Sequence, residues 1–134
     1  MSQSRAQKAT IGDLLHAARS RLRRLEPGAA KAELDRGALL IDTRDSELRR
    51  QTGVIPGSVR VPLSVLFWRL DPSSESADLE LTDGSRRVIL ICAHGYSSSL
   101  AAATLLDLGY SDATDVIGGF EAWAEAGLPI VPTD

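Results

Sequence analysis

Four consecutive apolar residues, Val88-Ile89-Leu90-Ile91, are followed after a short loop by an Ala- and Leu-rich stretch that closes at Gly109. A strand with one wet face alternates apolar and polar residues; an unbroken apolar run belongs to a strand covered on both faces. The run 38–42 (ALLID) has the same character, and Val59–Val61 and Thr114–Ile117 read as two further short strands. Between them lie helical segments at 46–51, 62–70, 98–108 and 119–126, punctuated by Gly53, Gly109 and Gly127. Short buried strands alternating with helices predict an α/β fold built on a parallel sheet.

Upstream, Thr10 and Asp13 form a capping-box-like pair, and Ile11, Leu14, Leu15, Ala18, Leu22 and Leu25 share one stripe at helical spacing. This predicts a helix over 10–25, with Arg19, Arg21, Arg23 and Arg24 as its solvated surface. Pro27 suits the first turn of a second helix that Gly37 closes. Residues 1–9 are polar and expected to fray. We therefore take 1–24 as an N-terminal extension with one helix and 25–134 as the single domain, a size that one core can serve.

The composition narrows the partners. The formal net charge of −3 gives no reason to expect nucleic-acid or membrane binding. Neither a signal-peptide run nor a stretch of membrane-spanning length is visible, so a cytoplasmic location is expected. One cysteine, Cys92, cannot close an intrachain disulfide, and no Cys/His cluster has zinc spacing, so no metal or cofactor is expected.

Cys92 ends the clearest strand and begins the loop C-A-H-G-Y-S-S. Ligands of open parallel sheets bind at the carboxyl ends of the strands. The helix that follows aims its free N–H groups and positive dipole end back at the loop, a setting that favours thiolate over thiol. Gly95 permits a tight turn, so that the amides of Ala93, His94, Gly95, Tyr96 and Ser97 can cradle an anion. Ser97, Ser98 or Ser99 can cap the helix or donate to a bound sulfur. A buried, inert core cysteine is the competing reading, because free cysteine is among the most buried residue types.

Three motifs, spread over about residues 25–130, resemble the rhodanese family. They are I-D-T-R (Ile41–Arg44) with G-V-I-P-G-S-V-R-V-P (Gly53–Pro62), the Cys92 loop, and G-G-F-E-A-W-A-E-A-G-L-P (Gly118–Pro129). The loop, with W-R-L-D-P (Trp68–Pro72), looks most like the small bacterial single-domain members. The resemblance implies a five-stranded parallel sheet with helices on both faces. It also implies a sulfurtransferase that moves a sulfane sulfur from thiosulfate or a persulfide to a thiol or cyanide, through a persulfide on Cys92. A partner protein is another possible acceptor, since the chain has no second cysteine. The alternative within the family is a non-catalytic module that binds a partner or senses sulfur.

The loop departs from many thiosulfate-using members in having no Arg or Lys, so thiosulfate, a dianion, is not assumed as donor. His94 is the loop's own candidate cation or proton donor. Asp42 and Arg44, just past a strand end, read as a structural ion pair close to the loop, and Arg60 and Arg69 as candidates to steer an anionic donor. Trp68, Phe120 and Trp123 are expected to fill core space. The Cys-x5-Arg clamp of tyrosine-type phosphatases is missing, because the sixth residue after Cys92 is Ser98.

Overall fold

The computed structural model describes residues 7–133, and residues 1–6 of the expected frayed terminus lie outside them. In chain order the elements are α1 (Ile11–Ser20), α2 (Pro27–Asp35), β1 (Leu39–Asp42), α3 (Ser46–Thr52), β2 (Val59–Arg60), a short 3-10 turn and α4 (Leu66–Leu70), β3 (Val88–Ile91), α5 (Ser97–Asp107), β4 (Thr114–Asp115) and α6 (Gly119–Glu125). All strand pairs are parallel, in the order β2-β1-β3-β4.

The apolar runs behave as their lack of alternation requires, with every residue of β1 and β3 buried. Leu39, Ile41, Val88 and Leu90 face one side, where Leu66 and Leu70 of α4 and Ala101, Ala102 and Leu105 of α5 cover them. Leu40, Ile89 and Ile91 face the other, against Ala30 of α2 and Phe120 and Trp123 of α6. Two apolar layers on one sheet leave only the strand ends free to carry polar groups.

The sheet has four strands rather than five. The fifth position is held by Leu25 alone, which pairs with Val116 as an isolated bridge. Its N–H donates to Asp115 O and its carbonyl accepts from Ile117 N–H. Pro27 opens α2 two residues later, so the pairing cannot extend past Glu26.

The first helix is shorter than the stripe suggests. Thr10 and Asp13 form the capping box, but the helix ends at Ser20, where the Arg21 N–H turns back to the Ala18 and Arg19 carbonyls. The helix lies against α5 through Ala18, while Ile11 remains 68% and Leu14 51% exposed. Trp68 also departs from expectation at 58% exposed, because Leu66 and Leu70 turn the buried face of α4 away from it.

Candidate active site

Cys92 follows β3 directly and is buried, with its sulfur facing the start of α5. The Gly95 N–H donates to Cys92 Sγ at 3.2 Å, and Ser98 Oγ lies 3.1 Å from the same sulfur. Burial pushes the thiol up. The hydroxyls of Ser98 and Ser97 and the amides of Ser98 and Gly95 together outweigh burial, so Cys92 ionises below the ordinary thiol range.

The loop is fixed from below by the first turn of α6. Phe120 N–H donates to Cys92 O at 2.8 Å and Glu121 N–H to Ala93 O at 3.1 Å. Such contact requires two backbones to meet without side chains between them. A Cβ on Gly95 would lie 2.8 Å from Gly118 N, and one on Gly119 would lie 2.5 Å from Cys92 O and 2.7 Å from Gly95 N. Both glycines also have positive φ, +84° and +63°. Gly119→Ala is therefore expected to displace the loop and lower turnover by roughly a hundred-fold, the scale at which catalytic groups misplaced by about 1 Å lose rate. Steady-state assay of a folded Gly119→Ala protein checks this, and unchanged turnover would show that the contact is not needed.

The other residues singled out near the loop are placed as follows. Asp42 and Arg44 form a buried pair, with Arg44 Nη2 2.8 Å from Asp42 Oδ2. The Arg44 guanidinium also binds Thr52 Oγ1 and Gly53 O and stacks 3.6 Å over the Phe120 ring, so its donors point into structure. Arg60 donates to the Arg44 carbonyl at 3.4 Å. Arg69 is exposed on α4, and its side chain makes no hydrogen bond or ion pair among the described residues. His94 is exposed, with Nδ1 3.7 Å from Glu121 Oε2. Tyr96 is exposed beneath the Arg19 guanidinium, 5.5 Å from its ring centre, and stands at the α5 N-cap without a side-chain capping bond.

Three participants were not foreseen. Arg19 and Arg24, read above as solvated surface, both reach the loop: Arg19 Nη2 donates to Gly95 O at 2.7 Å and Arg24 Nη2 to the same oxygen at 3.0 Å. Asp115, fully buried at the end of β4, accepts from Arg24 and from the hydroxyls of Ser98 and Ser99. One signal was available, since a carboxylate inside the strand T-D-V-I must find cationic or hydroxyl partners if it is buried.

Two hollows flank the loop. One, of about 490 Å3, lies between Ala93-His94 and Leu48, Phe120 and Ala124. The other, of about 470 Å3 and almost wholly apolar, lies between Tyr96-Ser97-Leu100 and Ile11-Leu15 of α1. Among the described residues no group of three or more His, Cys, Asp or Glu side chains is placed to hold a metal ion, and no helix is long and apolar enough to cross a membrane.

A parallel sheet that delivers one cysteine into a loop closed by a helix N-terminus defines a class of α/β domains presenting a single thiol at a strand end. The chain belongs to the rhodanese-like domain family, whose model matches residues 26–126. Thiosulfate sulfurtransferase GlpE of Pseudomonas savastanoi pv. phaseolicola is 37% identical over 101 residues, covering 75% of this chain and 86% of that protein. GlpE of Haemophilus influenzae is 32% identical over 109 residues, covering 81% and 94%. Among solved structures, a Rhodopseudomonas palustris protein of unknown function, described as a possible tyrosine phosphatase, superposes with TM-score 0.86 at 31% identity over 92% of this chain and 96% of its own. A rhodanese-related protein of Thermoplasma volcanium gives TM-score 0.67 at 26% identity, over 83% and 99%.

Proposed function

We propose that this chain is a sulfurtransferase that carries a sulfane sulfur on Cys92. The observation that supports it most is the setting of Cys92 Sγ, which meets a backbone N–H and a serine hydroxyl at 3.1–3.2 Å in a loop that favours the thiolate. The kinship with thiosulfate sulfurtransferases supports the same reading.

The Cys92 thiolate attacks the outer sulfur of the donor. A new S–S bond forms on Cys92 while the donor's own bond to that sulfur breaks. Its electron pair leaves with sulfite from thiosulfate, or with a thiolate from a persulfide. A nucleophilic acceptor, a thiolate or cyanide, then attacks the outer sulfur of the persulfide and Cys92 departs as thiolate. The chain has no second cysteine, so the acceptor belongs to another molecule, a small one or a partner protein. The guanidinium groups nearest the loop are committed to Gly95 O and Asp115 rather than left open for a dianion. That commitment favours a persulfide donor over thiosulfate.

Incubation of the reduced protein with thiosulfate and with glutathione persulfide, followed by peptide mass spectrometry, tests the proposal. An adduct of about 32 Da, one sulfur atom, confined to Cys92 is expected. If no donor leaves that adduct, the carrier role is wrong and a sulfur-sensing or partner-binding module takes its place. Hydrolysis of a phenyl phosphate would favour the phosphatase reading instead. Against that reading stands Ser98, buried and bound to Asp115 where the phosphate-clamping arginine would be.

A further inference from the structure

Sulfur transfer as proposed above calls for one negative charge at the loop, that of the Cys92 thiolate, yet a second lies beneath it. Asp115 Oδ2 accepts from Ser98 Oγ at 2.7 Å, from Ser99 Oγ at 2.8 Å and from Arg24 Nη2 at 3.2 Å, while Oδ1 accepts from Arg24 Nε at 2.8 Å. Ser98 Oγ is at the same time 3.1 Å from Cys92 Sγ. Arg19 Nε donates to Ser99 Oγ at 3.1 Å. Cysteine, serine and carboxylate thus form one buried chain that ends on a partly buried guanidinium.

A serine hydroxyl has a single proton to give. When Cys92 is a thiol, its S–H donates to Ser98 Oγ and the Ser98 hydroxyl donates to Asp115. A thiolate has no proton to give and gains from each donor; beside the Gly95 N–H, the Ser98 hydroxyl serves it by turning from Asp115 to Sγ. Asp115 can give up that hydrogen bond because Arg24 and Ser99 still donate to it. We propose that Asp115, neutralised by Arg24, is a positioning residue that sets the ionisation of Cys92 through the single hydroxyl proton of Ser98. Arg19 supports the same arrangement through Ser99 and the Gly95 carbonyl. Both arginines precede the span 26–126 that the family model matches, so the N-terminal segment completes a site that this span alone leaves without its counterions.

The other charged groups around the loop are accounted for separately. His94 and Glu121 are exposed and face each other, and Asp42 and Arg44 form their own buried pair at the end of β1, met by the partly buried Arg49 of α3. Arg60 is turned to the Arg44 carbonyl, and the described side chain of His16 is exposed on α1.

The proposal rests on Cys92 being the reactive group, but its test uses no sulfur donor. The rate of Cys92 alkylation by iodoacetamide, followed against pH, reads the thiolate directly. Arg24→Gln leaves Asp115 uncompensated, so Ser98 stays with it and the midpoint should rise by about one pH unit, a roughly ten-fold slower reaction below the midpoint. Asp115→Asn removes the competing charge and should lower the midpoint. The double variant should return towards the parent, and Arg24→Lys, which keeps the charge, should largely restore it. Ser98→Ala, run alongside and also standing in should Asp115→Asn fail to fold, cuts the relay: adding Arg24→Gln to it should change the midpoint little, and a shift as large as in the parent would show the charges acting through space and overturn the proposal. Folded single variants whose midpoints do not move, or that move in the same direction, would overturn the proposal. If the midpoints move as described while no sulfur adduct forms with any donor, the relay stands and the sulfur-carrier reading fails.

Discussion

Cys92→Ser is expected to slow sulfur transfer by more than about a thousand-fold, the scale at which loss of a catalytic nucleophile leaves only binding and electrostatic assistance. Serine is the informative substitution here. Its oxygen still accepts from the Gly95 N–H and still faces Ser98 Oγ, so the polar groups that meet the sulfur keep a partner. A serine hydroxyl, however, does not ionise near neutrality and forms no persulfide. Stability should therefore change by no more than about 1 kcal/mol, in line with a small buried replacement whose hydrogen bonds survive. Assay with cyanide or a thiol acceptor, beside a urea melt, separates the two effects. Transfer that persists in a folded Cys92→Ser protein would remove Cys92 from the chemistry.

Arg44→Met should show the opposite balance, a large loss of stability and a small loss of turnover. Asp42 and Arg44 are both shielded from water, and Arg44 spans Asp42, Thr52, Gly53 and the Phe120 ring. Methionine preserves much of the contact with Phe120 but leaves the Asp42 carboxylate with only the Arg49 Nε at 3.2 Å and a backbone amide. Removing one partner of a buried pair costs about 3–5 kcal/mol, because the remaining charge stays desolvated. For a domain of this size that is a fall of roughly 10–20 °C in melting temperature. Urea unfolding of Arg44→Met tests the expectation, and a loss below about 1 kcal/mol would show that Asp42 finds water or another donor. Turnover measured well below the melting point should stay within a few-fold of the parent. A loss as deep as that of Cys92→Ser would place Arg44 against substrate rather than in the frame.

These two residues also mark what the sequence could disclose. Cys92 was legible because the features that mark it are close in the chain: the apolar tetrad before it, the glycine three residues on and the helix start. The strands and most helices were legible for the same reason, with Thr10, Pro27 and Gly109 marking ends by local chemistry. The Asp42–Arg44 pair is likewise two residues apart. Arg19 and Arg24 were misread because their partners lie more than 70 residues downstream, and a run of four arginines looks the same whether it meets water or a carbonyl. Asp115 was hidden by its strand. The four strands read from the residues are the four of the sheet; the fifth was implied by the resemblance alone, and its place is held by the single pairing of Leu25. Trp68 failed as a core residue because a five-residue helix buries only one side, and size alone does not say which.

The single-residue pairing of Leu25 has a further consequence for how the chain behaves in a crowded solution. An open sheet has two edges, and each long, flat edge is a template on which another chain can add a strand. Here one edge is β2, two residues long and followed by Pro62, and the other is closed by Leu25, with Pro27 just beyond. Neither edge offers a run of free backbone groups long enough to seed an intermolecular sheet. The same brevity that removes a strand from the fold protects the domain against edge-to-edge self-association.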